Sequence, residues 1–104
     1  MKVLTVPDAA LRDSSSVEMA RVWIAEEGLH CSLKVGMYMK ESKVPEQRAW
    51  GMILADMTRH IVDALQKAHG LEREASIAAI CESYLRELNA PTTEVRGDFS
   101  PGPQ

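Results

Sequence analysis

Apolar and polar residues alternate along residues 18–25 and again along residues 29–35, and Glu26, Glu27 and Gly28 separate the two runs. Alternation with a period of two is typical of half-buried strands, so the pattern predicts a β-hairpin. The apolar face of this hairpin contains Ala20, Val22, Ile24, Cys31, Leu33 and Val35. The opposite face contains Arg21, Trp23, Ala25, His30, Ser32 and Lys34. The faces stay separate only with an even-numbered loop, such as Glu27-Gly28, because a slip of one residue would mix them.

The spacing of the apolar residues becomes helical after Pro45, which suits the first turn of a helix because it lacks an N–H group. One apolar stripe runs along residues 50–68 and ends before Gly70, a residue that favours the left-handed cap of a helix. A second stripe runs along residues 72–88 and ends before Pro91. The pattern therefore predicts two amphipathic helices in succession.

The order strand, strand, helix, helix predicts one α+β domain over residues 1–90, in which the antiparallel hairpin packs against the two helices. Val3–Val6 has the composition of a strand and could add a third strand at the N-terminus. Residues 91–104 are rich in Pro, Gly, Thr and charge, with Phe99 as their one aromatic residue, so we expect a disordered tail.

The composition excludes some classes of function but does not identify a particular one. The net charge of −3 and the pI near 5.6, without clustered Lys and Arg, argue against a nucleic-acid partner. No apolar run approaches a membrane span and no export signal is evident, so we expect no membrane partner and a soluble, cytoplasmic protein. Cys31 and Cys81 are then expected to be reduced thiols. No spacing of metal ligands or phosphate-binding glycines predicts a metal or a cofactor.

Four polar residues lie on one ridge of the first long helix, because Asp56, His60, Asp63 and Lys67 are separated by four, three and four residues. A histidine between two carboxylates could act as a base or a ligand, which makes His60 and Asp56 the candidates for catalysis. A helix ridge alone cannot complete a metal coordination sphere. The competing interpretation, which we favour, is a solvated helix face with ordinary ion pairs.

Trp23 is an unusual residue for the polar face of a hairpin, and an exposed indole there favours a ligand or a protein partner. The alternative is that Met37, Tyr38 or the N-terminal segment covers it. Trp50 is followed by Gly51, which would let the helix approach the sheet closely and needs no further function. The candidate ligand- or partner-binding residues are Trp23, His30, Trp50 and Arg59.

Three segments have a distinctive combination of residues: Arg21-Val22-Trp23-Ile24, Gly28-Leu29-His30-Cys31-Ser32-Leu33, and Ala49-Trp50-Gly51 followed by Leu54-Ala55-Asp56 and Arg59-His60. Together they resemble a family of short, uncharacterised bacterial proteins catalogued as a domain of unknown function. The resemblance extends over about residues 17–88. It implies a small α+β fold and a bacterial cytoplasmic setting, and it implies no activity.

The sequence favours a homodimeric binding module without enzymatic activity. A two-stranded hairpin is marginal in water, and a folded part of about 70 residues seldom gains more than about 3–5 kcal/mol from one core. A second copy would pair with the hairpin edge to edge or face to face over Trp23. A small-molecule or protein ligand would meet the outer sheet face or the groove beside the first long helix. The alternative is a small enzyme, or a ligand- or metal-binding protein, that uses His60 with Asp56.

Overall fold

Within residues 1–40 and 42–101, the part of the chain that the computed structural model describes, there are three helices and three strands. In chain order they are α1 (Asp8–Arg12), β1 (Ala20–Ala25), β2 (Gly28–Lys34), α2 (Glu46–His69), α3 (Arg73–Asn89) and β3 (Val95–Ser100). The α+β class and the order of hairpin and long helices are confirmed. A short helix precedes these elements and a third strand follows them.

β1 and β2 form the predicted antiparallel hairpin, and their register keeps the two faces apart, with Val22 opposite Cys31. The loop between them has two residues, Glu26 and Glu27, with φ angles of 50° and 63°. A two-residue turn with both φ angles positive matches the right-handed twist of a hairpin. The even-numbered loop is therefore confirmed, although it lies one residue earlier than expected.

β3 runs parallel to β2, so the sheet has the order β1-β2-β3. α2 and α3 lie in the long crossover connection that a parallel pair needs. The apolar residues of β2 and β3 lie beside one another as Leu29 with Val95, Cys31 with Gly97, and Leu33 with Phe99. The prediction of a disordered tail over residues 91–104 is therefore wrong for Val95–Ser100, because its alternating side chains extend the two faces of the hairpin. Residues 102–104 lie outside the described residues.

The third strand of the sheet is not the N-terminal one. Val3–Val6 forms no strand, and Val3, Leu4 and Val6 expose 59%, 92% and 52% of their surface. This segment lies beside β1 across an open cavity instead of bonding to its edge. Across residues 1–40 and 42–101, no strand pairs with the outer edge of β1.

α2 and α3 begin and end close to the residues that the sequence indicated. α2 starts at Glu46 directly after Pro45, and Gly70 closes it in the left-handed conformation, with φ of 67°. α3 starts after Glu72, whose carboxylate accepts two backbone N–H groups of the first turn. A carboxylate at this end also complements the helix dipole. The local signals for starting and ending a helix are therefore confirmed.

α2 and α3 pack on each other, and among the described residues no Cα atom of either helix lies within 8 Å of a Cα atom of the strands. Val62 is fully buried, and because α3 is the element in contact with α2, its burial belongs to this helix pair. The Arg73 guanidinium of α3 forms an ion pair with the Asp63 carboxylate of α2. The helices therefore approach each other more closely than either of them approaches the hairpin.

The single chain has little interior. Among the described residues, Ala49 and Val62 alone are buried. The accessible surface is 9003 Å², whereas a compact protein of this mass exposes about 5,800 Å². The radius of gyration is 15.6 Å, compared with about 13 Å for a compact domain of this length. The chain is therefore more open than a self-sufficient domain of its size.

Candidate functional site

The polar face of the sheet carries a row of three side chains that crosses all three strands. Trp23 on β1 lies opposite His30 on β2, and His30 lies beside Arg96 on β3. Trp23 and His30 are half-buried, whereas Arg96 is exposed and pairs with Glu94 at 2.6 Å. Residues that are paired on adjacent strands share a face. The fold therefore brings two of the predicted binding residues together, and we call Trp23, His30 and Arg96 the Trp23 row.

Sequence reasoning missed Arg96 because the C-terminal segment was not expected to form a strand. The signal was present in the alternation of Val95, Gly97 and Phe99 with Arg96 and Asp98. Two glycines and two prolines over the last eight residues obscured this alternation, since both residue types are depleted in strands.

A cavity of about 670 Å³ adjoins the Trp23 row, between the N-terminal segment and β1. Residues 2–7 line one side of it, and residues 20–23 line the other. The N-terminal segment lines the cavity with largely exposed apolar side chains, and Trp23 itself is half-buried. Trp23 is therefore half-buried in the wall of an open cavity. It is neither fully exposed on a free sheet face nor covered by other residues in a core.

A second cluster lies at the start of α2, where Glu46 ties the connector after β2 to the helix. Its carboxylate accepts the backbone N–H groups of Gly36 at 3.0 Å and Tyr38 at 2.8 Å, and the indole N–H of Trp50 at 2.8 Å. Desolvation raises the pKa of Glu46, but the bonds from Gly36, Tyr38 and Trp50 outweigh it and hold the pKa below its ordinary value. We call these four residues the Glu46 clamp.

In the Glu46 clamp, the predicted binding residue Trp50 has a hydrogen-bond partner within the protein. Trp50 is half-buried, and its N–H group is satisfied by a residue one turn earlier on the same helix. The spacing of four residues between Glu46 and Trp50 was the signal for this contact. The two bonds to the connector could not be predicted, because they join residues on different elements.

The predicted ridge of α2 forms, but each of its two aspartates has an arginine partner. Asp56 pairs with Arg59 at 2.6 Å, and Asp63 pairs with Arg73. His60 is exposed, and within the described residues no hydrogen bond joins it to either carboxylate. The fold therefore places His60 and Asp56 on one helix face without joining them, and it engages Arg59 in a local ion pair.

A smaller pocket of about 340 Å³ lies at the hairpin turn, where Glu26, Glu27 and His30 face residues 92–94 and Arg96. Across residues 1–40 and 42–101, no three His, Cys, Asp or Glu side chains are placed to hold a metal ion together. Acidic and basic side chains both line this pocket at the hairpin turn, so it offers polar contacts.

Two apolar surfaces are left open. The apolar sheet face consists of Ala20, Val22, Ile24, Leu29, Cys31, Leu33, Val95, Gly97 and Phe99. Of these, Ile24 exposes 80% of its surface and Phe99 exposes 68%. The helical stripe consists of Leu54, Met57 and Ile61 of α2 and Ile77, Tyr84, Leu85 and Leu88 of α3, all of which are exposed. Neither α2 nor α3 is long and apolar enough to cross a membrane. Monomeric proteins rarely expose large contiguous apolar patches.

These features define a class of small α+β proteins in which a three-stranded sheet and a helical hairpin lie apart and expose their apolar sides. The chain belongs to the family described as Domain of unknown function (DUF5076), which matches residues 3–92. The family resemblance seen in the sequence is therefore confirmed.

One solved structure supports the fold. It is described as "Structure of a putative pyruvate dehydrogenase from the photosynthetic bacterium Rhodopseudomonas palustrus CGA009". The two chains superpose with a TM-score of 0.61 at 22% sequence identity, over 90% of each chain. At this identity the likeness shows the fold alone. A search of curated proteins finds no match to the chain.

Proposed function

We propose that this protein is a homodimeric binding module without enzymatic activity, in which a second copy covers the apolar surfaces that one chain leaves open. The observation that carries the proposal is the accessible surface of 9003 Å². It exceeds the value for a compact monomer by about 3,200 Å². Obligate homodimers bury about 2,000–5,000 Å² or more in total, which is about 1,000–2,500 Å² or more per chain, so pairing two copies would remove a large part of this excess.

The Trp23 row is the proposed binding face for a small-molecule or protein ligand. It lies on the side of the sheet opposite the apolar sheet face, so a dimer that covers the apolar side leaves the row open. The adjoining cavity of about 670 Å³ has the size of small-molecule sites. Tryptophan and arginine side chains are also enriched among the residues that dominate protein interfaces.

Sedimentation equilibrium tests the dimer directly. We expect a mass of about 23 kDa, twice the 11.5 kDa of one chain, across a dilution series at micromolar concentration. A mass that stays at 11.5 kDa throughout the series would overturn the proposal.

Acrylamide quenching tests which sheet face stays open. Quenching is compared between the native chain and a Trp23→Phe chain, which keeps Trp50 and the Glu46 clamp, so the difference between the two reports the accessibility of Trp23. We expect the same difference in dilute and concentrated samples, because the dimer covers the other face. Protection of Trp23 on dimer formation would show that the copies pair over Trp23, and it would remove the Trp23 row as the binding face.

A further inference from the structure

We infer that the two copies exchange their helical hairpins, so that α2 and α3 of each chain cover the apolar sheet face of the other. This inference rests on the proposed homodimer and names its interface. The partner that each apolar surface accepts is then a second copy of this chain, and the contact is helix on sheet in both halves of the dimer.

The Glu46 clamp explains why the helices do not cover the sheet of their own chain. The connector leaves the end of β2 at Gly36, and two of its backbone N–H groups are bound by the carboxylate at the first residue of α2. Trp50 bonds to the same carboxylate from the next turn. The two bonds from the connector hold the start of α2 in one direction relative to the end of β2, and the Trp50 bond within α2 holds the Glu46 carboxylate in place. In that direction no Cα atom of the described residues of α2 or α3 lies within 8 Å of a strand Cα atom.

The exchange covers both apolar surfaces at once. Stacking two sheets would leave the helical stripes in water, and packing two helical hairpins together would leave the sheet faces in water. In a two-fold dimer each copy offers one sheet face and one helical stripe, so helix-on-sheet packing forms two identical contacts. The dimensions agree, since the stripe of α3 from Ile77 to Leu88 is about 17 Å long and β2 is about 23 Å long.

The sizes of the side chains on the apolar sheet face also favour helices as the elements that cover it. The middle row of the apolar sheet face consists of Val22, Cys31 and Gly97. These side chains are smaller than those of the row that contains Ile24, Leu29 and Val95. Two such faces stacked on each other would enclose a void, which protein interiors avoid. Bulky helix side chains such as Met57 and Tyr84 can fill the low middle row instead.

The two native cysteines provide the test, because one lies on each surface. Cys31 lies on the apolar sheet face, Cys81 lies on α3, and both thiols are free. A Cys81→Ala chain therefore carries a thiol on the sheet alone, and a Cys31→Ala chain carries one on the helix alone. The two variants are unfolded and refolded together, with one of them labelled with ¹⁵N, and treated with a short bismaleimide. Mass spectrometry then identifies the linked chains.

We expect the mixed sample to yield cross-links between Cys31 of one chain and Cys81 of the other, well in excess of the products of each variant alone. Predominant Cys31–Cys31 products would show stacked sheets, and predominant Cys81–Cys81 products would show paired helical hairpins. Either result would overturn the exchange, as would a sample that sediments as a dimer and forms no mixed product. A sample that sediments as a monomer would overturn the proposed function itself, so the two failures are distinguishable.

Charge insertion gives an independent readout. Ile24→Asp and Leu85→Asp each place a carboxylate in the inferred contact, from the sheet side and from the helix side. Each should raise the dimer dissociation constant by roughly tenfold or more, because a buried unpaired charge costs more than one tenfold step in affinity. Ala25→Asp is the matched control on the opposite face of β1, and it should leave the constant unchanged. Equal effects of Ile24→Asp and Ala25→Asp would contradict the exchange.

Discussion

Replacing Gly97 with alanine tests whether β3 belongs to the sheet. Gly97 lies beside Cys31 on β2 and has a φ angle of 133°, a conformation that side chains rarely adopt. A Cβ atom at this position would lie 1.8 Å from the Cys31 carbonyl oxygen and 2.9 Å from the Cys31 nitrogen. Both of these atoms belong to the backbone and cannot rotate away. The variant must therefore move β3 off β2 or change the backbone of β3.

The expected magnitude follows from two contributions. A non-glycine residue in a sparsely populated backbone region costs of order 1–3 kcal/mol. Each ladder hydrogen bond that the displacement breaks removes about 0.5–1.5 kcal/mol. Since Val95 and Phe99 expose 65% and 68% of their surface, the single chain has little else to hold β3 in place. We expect a total loss of about 2–3 kcal/mol, which lowers the Tm by about 8–20 °C.

Amide hydrogen exchange and thermal unfolding, both at one fixed protein concentration, measure this loss. The backbone amides of Val95–Ser100 should lose their protection in the Gly97→Ala protein. Gly28→Ala is the matched control in the same sheet, because the atoms nearest to its added Cβ lie at 3.8–4.0 Å, an ordinary contact distance. If Gly97→Ala kept both the protection of β3 and the Tm of the control, the close approach of β3 to β2 would be refuted.

Three further predictions concern the turn, the clamp and α2. Glu26→Asn combined with Glu27→Gly should raise the free energy of unfolding by about 1–2 kcal/mol in urea titrations, because these residues accept positive φ angles readily; an unchanged midpoint would contradict the turn geometry. The pKa of Glu46 lies below its ordinary value of 4.5, so the stability that its ionised form contributes is complete above about pH 4.5 and is lost as the pH falls through the folded pKa. Glu46→Gln should therefore show a shallower loss of Tm between pH 5 and pH 3 than the parent, and equal slopes would contradict the clamp. Gly51→Ala should stabilise the protein by about 0.5–1 kcal/mol, because nothing lies within 4 Å of the added methyl group; destabilisation in a thermal melt would place Gly51 in the dimer interface.

The local structure of the hairpin and the long helices could be predicted because short-range patterns determine it. The alternation along β1 and β2 fixed the faces, and the need to keep them apart required an even-numbered loop. The start of α2 after Pro45 and its end at Gly70 depend on backbone chemistry within one turn of each residue. None of these features depends on what the element packs against.

The third strand could not be predicted with the same rules, because its pairing is a long-range choice. Val3–Val6 has the more typical strand composition, yet Val95–Ser100 occupies the edge of β2. Gly97, which lowers strand propensity, is the residue that allows the close approach to Cys31. Propensity scales treat such a glycine as unfavourable in a strand, although here its missing Cβ is what the contact requires.

The candidate site was predicted in part, because some of its contacts follow from short-range patterns and others from long-range pairing. Trp23 and His30 come together because the register of the hairpin determines their pairing, and that register could be deduced. Arg96 joins them through the pairing of β3, which could not. Asp56 and His60 share a ridge as the spacing required, but the choice of Arg59 as the partner of Asp56 depends on side-chain rotamers that spacing does not determine.

The expected packing of helices on the sheet and the open arrangement of the single chain follow from the same apolar pattern. The pattern determines which side of each element avoids water, but it does not determine which chain supplies the cover. In the inferred dimer that choice depends on the connector, whose Gly36 and Tyr38 N–H groups are bound by the carboxylate at the start of α2. A chain whose own connector prevents the contact keeps both apolar surfaces, and a second copy can satisfy each of them with the element that the sequence had already matched to it. Breaking the clamp should then loosen the direction of α2 while leaving the hairpin and the helices themselves formed, since neither depends on Glu46 for its apolar pattern.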